Sequence, residues 1–157
     1  MKAKINWHYS RSDIAQTIID LFSSESTHAI TVFAPRRMGK TELLLEDLWP
    51  LAKKRGYDVR YASFWMDKSN PKAVFLDAIS SNSQDQTTVK ARIGVGGTFV
   101  EATSHGAPKE SDVNIKEIKE EFVKLCRGKK KVLLLLDEVQ QLAIREQDET
   151  FVAALRT

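Results

Sequence analysis

The chain has 157 residues, 42% apolar and 29% charged, with a formal net charge of +3. That suits one soluble globular domain with a core of its own, and so mild a basic excess is by itself weak support for an anionic partner. The single cysteine, Cys126, excludes an intrachain disulfide and fits a reducing compartment. The N-terminus "MKAKINWHYSRSD" has no apolar core of signal-peptide length, and the longest apolar run, "VLLLLD", is too short to span a bilayer. The expected location is the cytoplasm, with no membrane partner.

The first helix is predicted over 12–23, where Ser10 and Asp13 have capping-box spacing and Ile14, Ile18, Leu21 and Phe22 share a face. "HAITVF" (28–33) is short and β-branched and reads as a buried strand. A helix is expected over 40–54, with Leu44, Leu48, Leu51 and Ala52 as its buried stripe. Lys53, Lys54 and Arg55 complement its C-terminal dipole and Gly56 ends it. "YDVRYASFWM" (57–66) is the next strand, and a helix with proline in its first turn follows over 71–80.

Residues 80–86 read as a polar loop. The partial alternation at 88–103, broken by "GVGG", predicts an inserted β-hairpin over about 88–104. A helix at 112–127 carries Ile115, Ile118, Phe122 and Leu125 on one face and stops at Gly128; Cys126 is expected as a small core residue near its end. "KKKVLLLLDE" predicts a strand buried on both faces of a parallel sheet. "ETFVAALR" closes the chain as a short helix. Apart from the hairpin, helices and strands alternate as in an α/β fold with a parallel sheet.

Two stretches carry chemistry. Ala34-Pro35-Arg36-Arg37-Met38-Gly39-Lys40-Thr41 matches A/G-x-x-x-x-G-K-[ST], the Walker A phosphate loop, and sits between a predicted strand and a predicted helix. Its backbone N–H groups make an anion nest to which the helix N-terminus adds positive charge. Gly39 permits the close approach, Lys40 reaches the β- and γ-phosphates, and the Thr41 hydroxyl suits Mg²⁺. Ala34 stands where the motif as usually written has glycine; it is small enough not to fill the loop. Pro35 lacks an N–H at a position that seldom makes the main phosphate contacts.

The second stretch is "VLLLLDE", an apolar strand ending in acids, which is the Walker B pattern. Asp137 would orient the Mg²⁺ shell at the ligand-facing end of the strand. Glu138 would activate water. "DEVQ" replaces the D-x-x-G of Ras-like GTPases and no N-K-x-D is present, so ATP is expected rather than GTP.

Arg36 and Arg37 read as solvated arginines beside a polyanion, direct contact with phosphate or a partner being the alternative. The basic residues at 53–55 and 127–131 lie at element ends, so DNA binding is weakly supported. Trp7, Trp49 and Trp65 lack stacking-platform spacing and are expected as core or hinge residues. His8, His28 and His105 lack metal-ligand spacing.

"APRRMGKTELL" together with "LLLLDEVQQLA" resembles the AAA+-like ATPases of archaeal and bacterial type, relatives of the origin-recognition and STAND ATPases. "YDVRYASFWMDKSNPKAVFLDAI" is similar to that family's second strand and following helix, and the likeness runs from about residue 8 to 157. The resemblance implies a P-loop NTPase fold of the ASCE type, a three-layer α/β/α arrangement around a parallel sheet. It implies ATP held by residues 34–41, Mg²⁺ by Thr41 and Asp137, and catalysis by Glu138 with Lys40.

Members of that family continue past this point with a sensor strand, an arginine finger and a helical lid, whereas this sequence stops at "FVAALRT". The favoured expectation is therefore the N-terminal portion of the domain, truncated, with an incomplete sheet and weak or no ATP hydrolysis alone; the alternatives to truncation are a second polypeptide that supplies the missing half and a sheet closed in a different strand order. The alternative is a non-hydrolysing, nucleotide-dependent switch that assembles with a protein partner, with itself or with DNA. A small-molecule kinase would need a lid and an acceptor site, and neither is legible.

Overall fold

Helix α1 forms where the periodicity places it, over Ser12–Ser23, but it buries a different stripe. Ala15, Ile18 and Ile19 are buried while Ile14 and Leu21 are 49% and 43% exposed. The i, i+3, i+4 set built on a small alanine lets the helix approach its neighbours closely. The expected capping box is also absent. Arg11 is the N-cap and makes no side-chain cap bond, and the Ser10 hydroxyl donates instead to Asp47 Oδ1 at 3.1 Å.

The computed structural model describes residues 8–25, 27–80, 85–93 and 113–144. The chain divides into two units, Met1–Gly56 and Tyr57–Thr157. The first holds α1 and a helical run made of α2 (Lys40–Glu42), a π-helical stretch (Leu43–Leu48) and α3 (Trp49–Lys54). Pro50 explains the wide turn. It has no N–H for the i→i−4 ladder, and Trp49 N donates back to Leu44 O, five residues away.

That extra residue shifts the buried stripe from the expected one. Leu43, Leu45, Leu48, Trp49 and Ala52 are buried, whereas Leu44 and Leu51 are only half-buried. Gly56 ends the run as predicted: its φ is +87° and its N–H donates to Lys53 O at 3.0 Å.

Residues 28–33, predicted as a buried strand, form none. Val32 is 38% and Phe33 90% exposed. A β-branched run becomes a strand only where a neighbour completes its ladder, and among the described residues the sheet contains only β1 and β2.

The second unit is built on those two parallel strands, β1 (Asp58–Ser63) and β2 (Val132–Asp137), in register from Asp58↔Val132 to Ser63↔Asp137. Their flanks carry α4 (Pro71–Ser80), α5 (Gln86–Ile93), α6 (Ile115–Cys126) and a 3₁₀ turn at Val139–Ile144. Phe64, Phe75, Ile79, Val113, Ile118 and Leu142 form its core, and Leu134 and Leu136 of β2 pack against it. β2 therefore buries Leu133, Leu135 and Asp137 on one side and half-buries Val132, Leu134 and Leu136 on the other, short of full burial on both faces. The architecture is a mixed helix and strand fold with a small parallel sheet.

Two further expectations are corrected. Residues 88–93, read as the first arm of the hairpin, belong to α5, whose Val89 N–H donates to Asp85 O at 3.0 Å. The helix formers Lys90, Ala91 and Arg92 outweigh the short alternation there. The rest of the expected hairpin, 94–104, and the closing helix, 149–156, lie outside the described residues. Cys126 is exposed, because α6 directs Ile118 inward and Cys126 falls off that line.

Asn114 caps α6, its side-chain oxygen accepting from Lys116 N at 3.0 Å. Asn114→Ala is expected to lower the unfolding free energy by about 1 kcal/mol, read as a lower urea midpoint with an unchanged slope.

Candidate functional site

The residues singled out by the sequence fall into two groups, one in each unit. In the first unit the loop from Ala34 to Gly39 runs directly into the helix that starts at Lys40. Arg37 has φ +63° and Gly39 has φ +68°. Left-handed residues of this kind turn successive N–H groups towards one side, which is how a backbone anion nest is made. Gly39 takes that conformation freely, and Arg37 holds it as a strained non-glycine residue.

Pro35, Arg36, Arg37 and Met38 are exposed, while Ala34, Gly39, Lys40 and Thr41 are half-buried. Lys40 Nζ lies across the loop, donating to Ala34 O at 2.8 Å and Pro35 O at 3.1 Å. The ammonium is thus held over the loop by two of the loop's own carbonyls.

Arg11 reaches the same loop and was not legible in the sequence. Its Nη1 donates to Gly39 O at 2.9 Å, the carbonyl that also receives Leu43 N in the first helical turn. A Cβ added at Gly39 would overlap the Arg11 guanidinium. No spacing rule connects residue 11 with residue 39. The only signal was a basic residue next to the predicted start of α1. Gly39→Ala is expected to cost about 1–2 kcal/mol from the left-handed backbone alone and to displace Arg11, measurable by thermal unfolding beside Arg11→Ala.

A second anchor lies further along the run. Asp47, on the π-helical stretch, has a side chain only 4% exposed and accepts from His8 Nε2 at 2.9 Å and from the Ser10 hydroxyl. His8 is thus a partner for a buried carboxylate. Such pairing is what makes burial of the acid tolerable.

In the second unit Asp137 ends β2, and its residue is 5% exposed. Its Oδ1 accepts from Glu138 N at 2.9 Å and its Oδ2 from the Tyr61 hydroxyl at 2.9 Å. Burial, then the Asp137 charge and the hydrogen bond to it, push the Tyr61 phenol far above its ordinary range, so it remains a donor. Glu138 has φ +56°, a left-handed conformation that is costly for a residue with a side chain, and Gln140 Nε2 donates to its Oε2. The structure holds Glu138 in this conformation where the strand gives way to the 3₁₀ turn.

Of the tryptophans, Trp49 is core, at 2% exposure. Trp65, expected to be packed, is 50% exposed with Lys68 Nζ 3.3 Å from its ring centroid. It lies just past the end of β1, where the chain has left the sheet. Trp7 and His105 lie outside the described residues. No helix among the described residues is long and apolar enough to cross a membrane.

A glycine-containing basic loop opening a helix, and a parallel strand ending in a fixed carboxylate, are features of a P-loop-like ATPase domain. Residues 10–157 match the family described as an ATPase domain predominantly from Archaea, and the chain belongs to that family. No curated protein and no solved structure matched the chain.

Proposed function

We propose that this domain binds ATP together with Mg²⁺ at residues 34–41, the binding step of the hydrolysis that an ATPase family implies. The observation that carries the reading is the loop itself: left-handed backbone at Arg37 and Gly39 beside a lysine held over the loop by two carbonyls. Membership of an ATPase family supports it.

The donor chemistry fits the ligands. The loop amides and the N-terminus of the helical run favour phosphate, and the Lys40 ammonium exchanges its bonds to Ala34 and Pro35 for stronger charge-assisted bonds to phosphate oxygens. The Thr41 hydroxyl and the Asp137 carboxylate are hard oxygen donors of the kind Mg²⁺ takes alongside phosphate and water. Bound Mg²⁺ would neutralise charge on the phosphates.

Glu138 is assigned to polarise the attacking water. Its left-handed backbone fixes the direction in which the side chain leaves the strand end. Arg36 and Arg37, both exposed, are assigned to the rim of the loop. The reading is tested by calorimetric titration of the purified chain with ATP, with and without Mg²⁺. Saturable binding strengthened by Mg²⁺ is expected, and a folded chain that takes up no ATP would refute it.

A further inference from the structure

Two donors on the Asp137 carboxylate differ in origin. One is the next peptide N–H, which any strand end can supply. The other is the phenol of Tyr61, 76 residues away in sequence and on the neighbouring strand. We propose that Tyr61 is a positioning residue for Asp137: its hydroxyl sets the orientation of the carboxylate and thereby the affinity for Mg²⁺. The inference rests on the ATP-binding reading above.

The sheet register explains why Tyr61 can do this. Ser63 is opposite Asp137, and Tyr61 is opposite Leu135. Residues two apart on a strand project from the same face, so Tyr61, Ser63, Leu135 and Asp137 share one side. From its position one repeat back, the tyrosine ring is long enough to bring its hydroxyl to Asp137 Oδ2. Ser63, which lies opposite Asp137 on the same face, is itself buried.

Both carboxylate oxygens are therefore engaged by fixed groups, Glu138 N on Oδ1 and Tyr61 on Oδ2. Two donors from rigid backbone and a packed ring stop rotation of the carboxyl plane. A carboxylate has about four lone-pair sites, and these donors take one on each oxygen. Tyr61 is 4% exposed and Asp137 5%, so water is poorly placed to take over either role. Partners that orient a metal-binding carboxylate typically influence metal affinity by about 10- to 100-fold.

A merely structural tyrosine would also find a partner for its hydroxyl, so the test must separate the two roles. ATP affinity is titrated first in EDTA and then over a Mg²⁺ series, for wild type, Tyr61→Phe, Asp137→Asn and the double variant. Tyr61→Phe keeps the ring and its packing. It is expected to need about tenfold or more Mg²⁺ for the same gain in ATP affinity, while affinity in EDTA stays at the wild-type value.

In the Asp137→Asn background the same change is expected to add little, because Tyr61 acts through that carboxylate. An unaltered Mg²⁺ response in folded Tyr61→Phe would overturn the proposal, as would a full effect persisting in the Asp137→Asn background. Wild type that binds ATP in neither titration overturns the ATP reading and this inference with it. Wild type that responds to Mg²⁺ while Tyr61→Phe matches it overturns the inference alone.

Should Tyr61→Phe not fold, the wild type carries the test. The Tyr61 ¹³Cζ resonance, observed at saturating ATP, is expected to move on Mg²⁺ addition. A resonance that does not move while Mg²⁺ binds would count against the proposal.

Discussion

Lys40→Ala is expected to remove most ATP binding while leaving the protein folded. In the structure the ammonium makes two bonds, to Ala34 O and Pro35 O, both within the loop. These carbonyls lie on a largely exposed segment, and water can satisfy them when the side chain is cut back. The stability cost is therefore below about 1 kcal/mol. The cost to binding is larger, because a hydrogen-bonded charge opposite a phosphate is lost. At about 3 kcal/mol, the upper end for bonds to charged groups, Kd rises roughly 150-fold. Calorimetry with ATP and Mg²⁺ reads the affinity and circular dichroism the fold. A Kd within a few-fold of wild type would mean that Lys40 keeps its loop carbonyls in the complex and that ATP is held elsewhere.

The candidate residues were legible where they stand next to one another in the sequence. The loop 34–41 and the acids 137–138 are each local strings, and their setting at a helix start and a strand end follows from nearby sequence. What stayed hidden is each partner that arrives from far along the chain. Arg11 meets Gly39, Ser10 and His8 meet Asp47, and Tyr61 meets Asp137. All four are ordinary surface or strand residues by local criteria. Only the packing of α1 with the helical run, and the register of β1 on β2, bring them to their partners.

Element type was more legible than element face. The helices at 12–23, 71–80 and about 112–127 and the strands near 57–66 and 132–137 form with small boundary shifts. The buried stripe after the loop was misplaced because Pro50, inside an otherwise helical pattern, forces a wide turn that periodicity at 3.6 residues does not anticipate. The run 28–33 shows a different limit. Its β-branched residues suit a ladder, but propensity does not supply the neighbouring strand, and the segment stands with Phe33 in solvent.

Phe64→Ala is expected to be the most destabilising single change in the second unit, and it separates packing from positioning. Phe64 is fully buried, directly follows β1, and packs with Phe75, Ile79, Val113, Ile118 and Leu142. Truncating such a ring costs about 3–5 kcal/mol, a large fraction of the roughly 5–15 kcal/mol that holds a domain together. The urea midpoint should fall accordingly. The backbone bond from Phe64 N to Asp137 O, 3.1 Å, does not depend on the side chain. Folded Phe64→Ala should therefore keep Asp137 in place and respond to Mg²⁺ as wild type does, once affinities are corrected for the unfolded fraction. Tyr61→Phe should invert that pattern, with a small loss of stability and a large loss of Mg²⁺ response. If Phe64→Ala instead lost the Mg²⁺ response in proportion to stability, the orientation of Asp137 would depend on the core as a whole, with no separate part for the phenol.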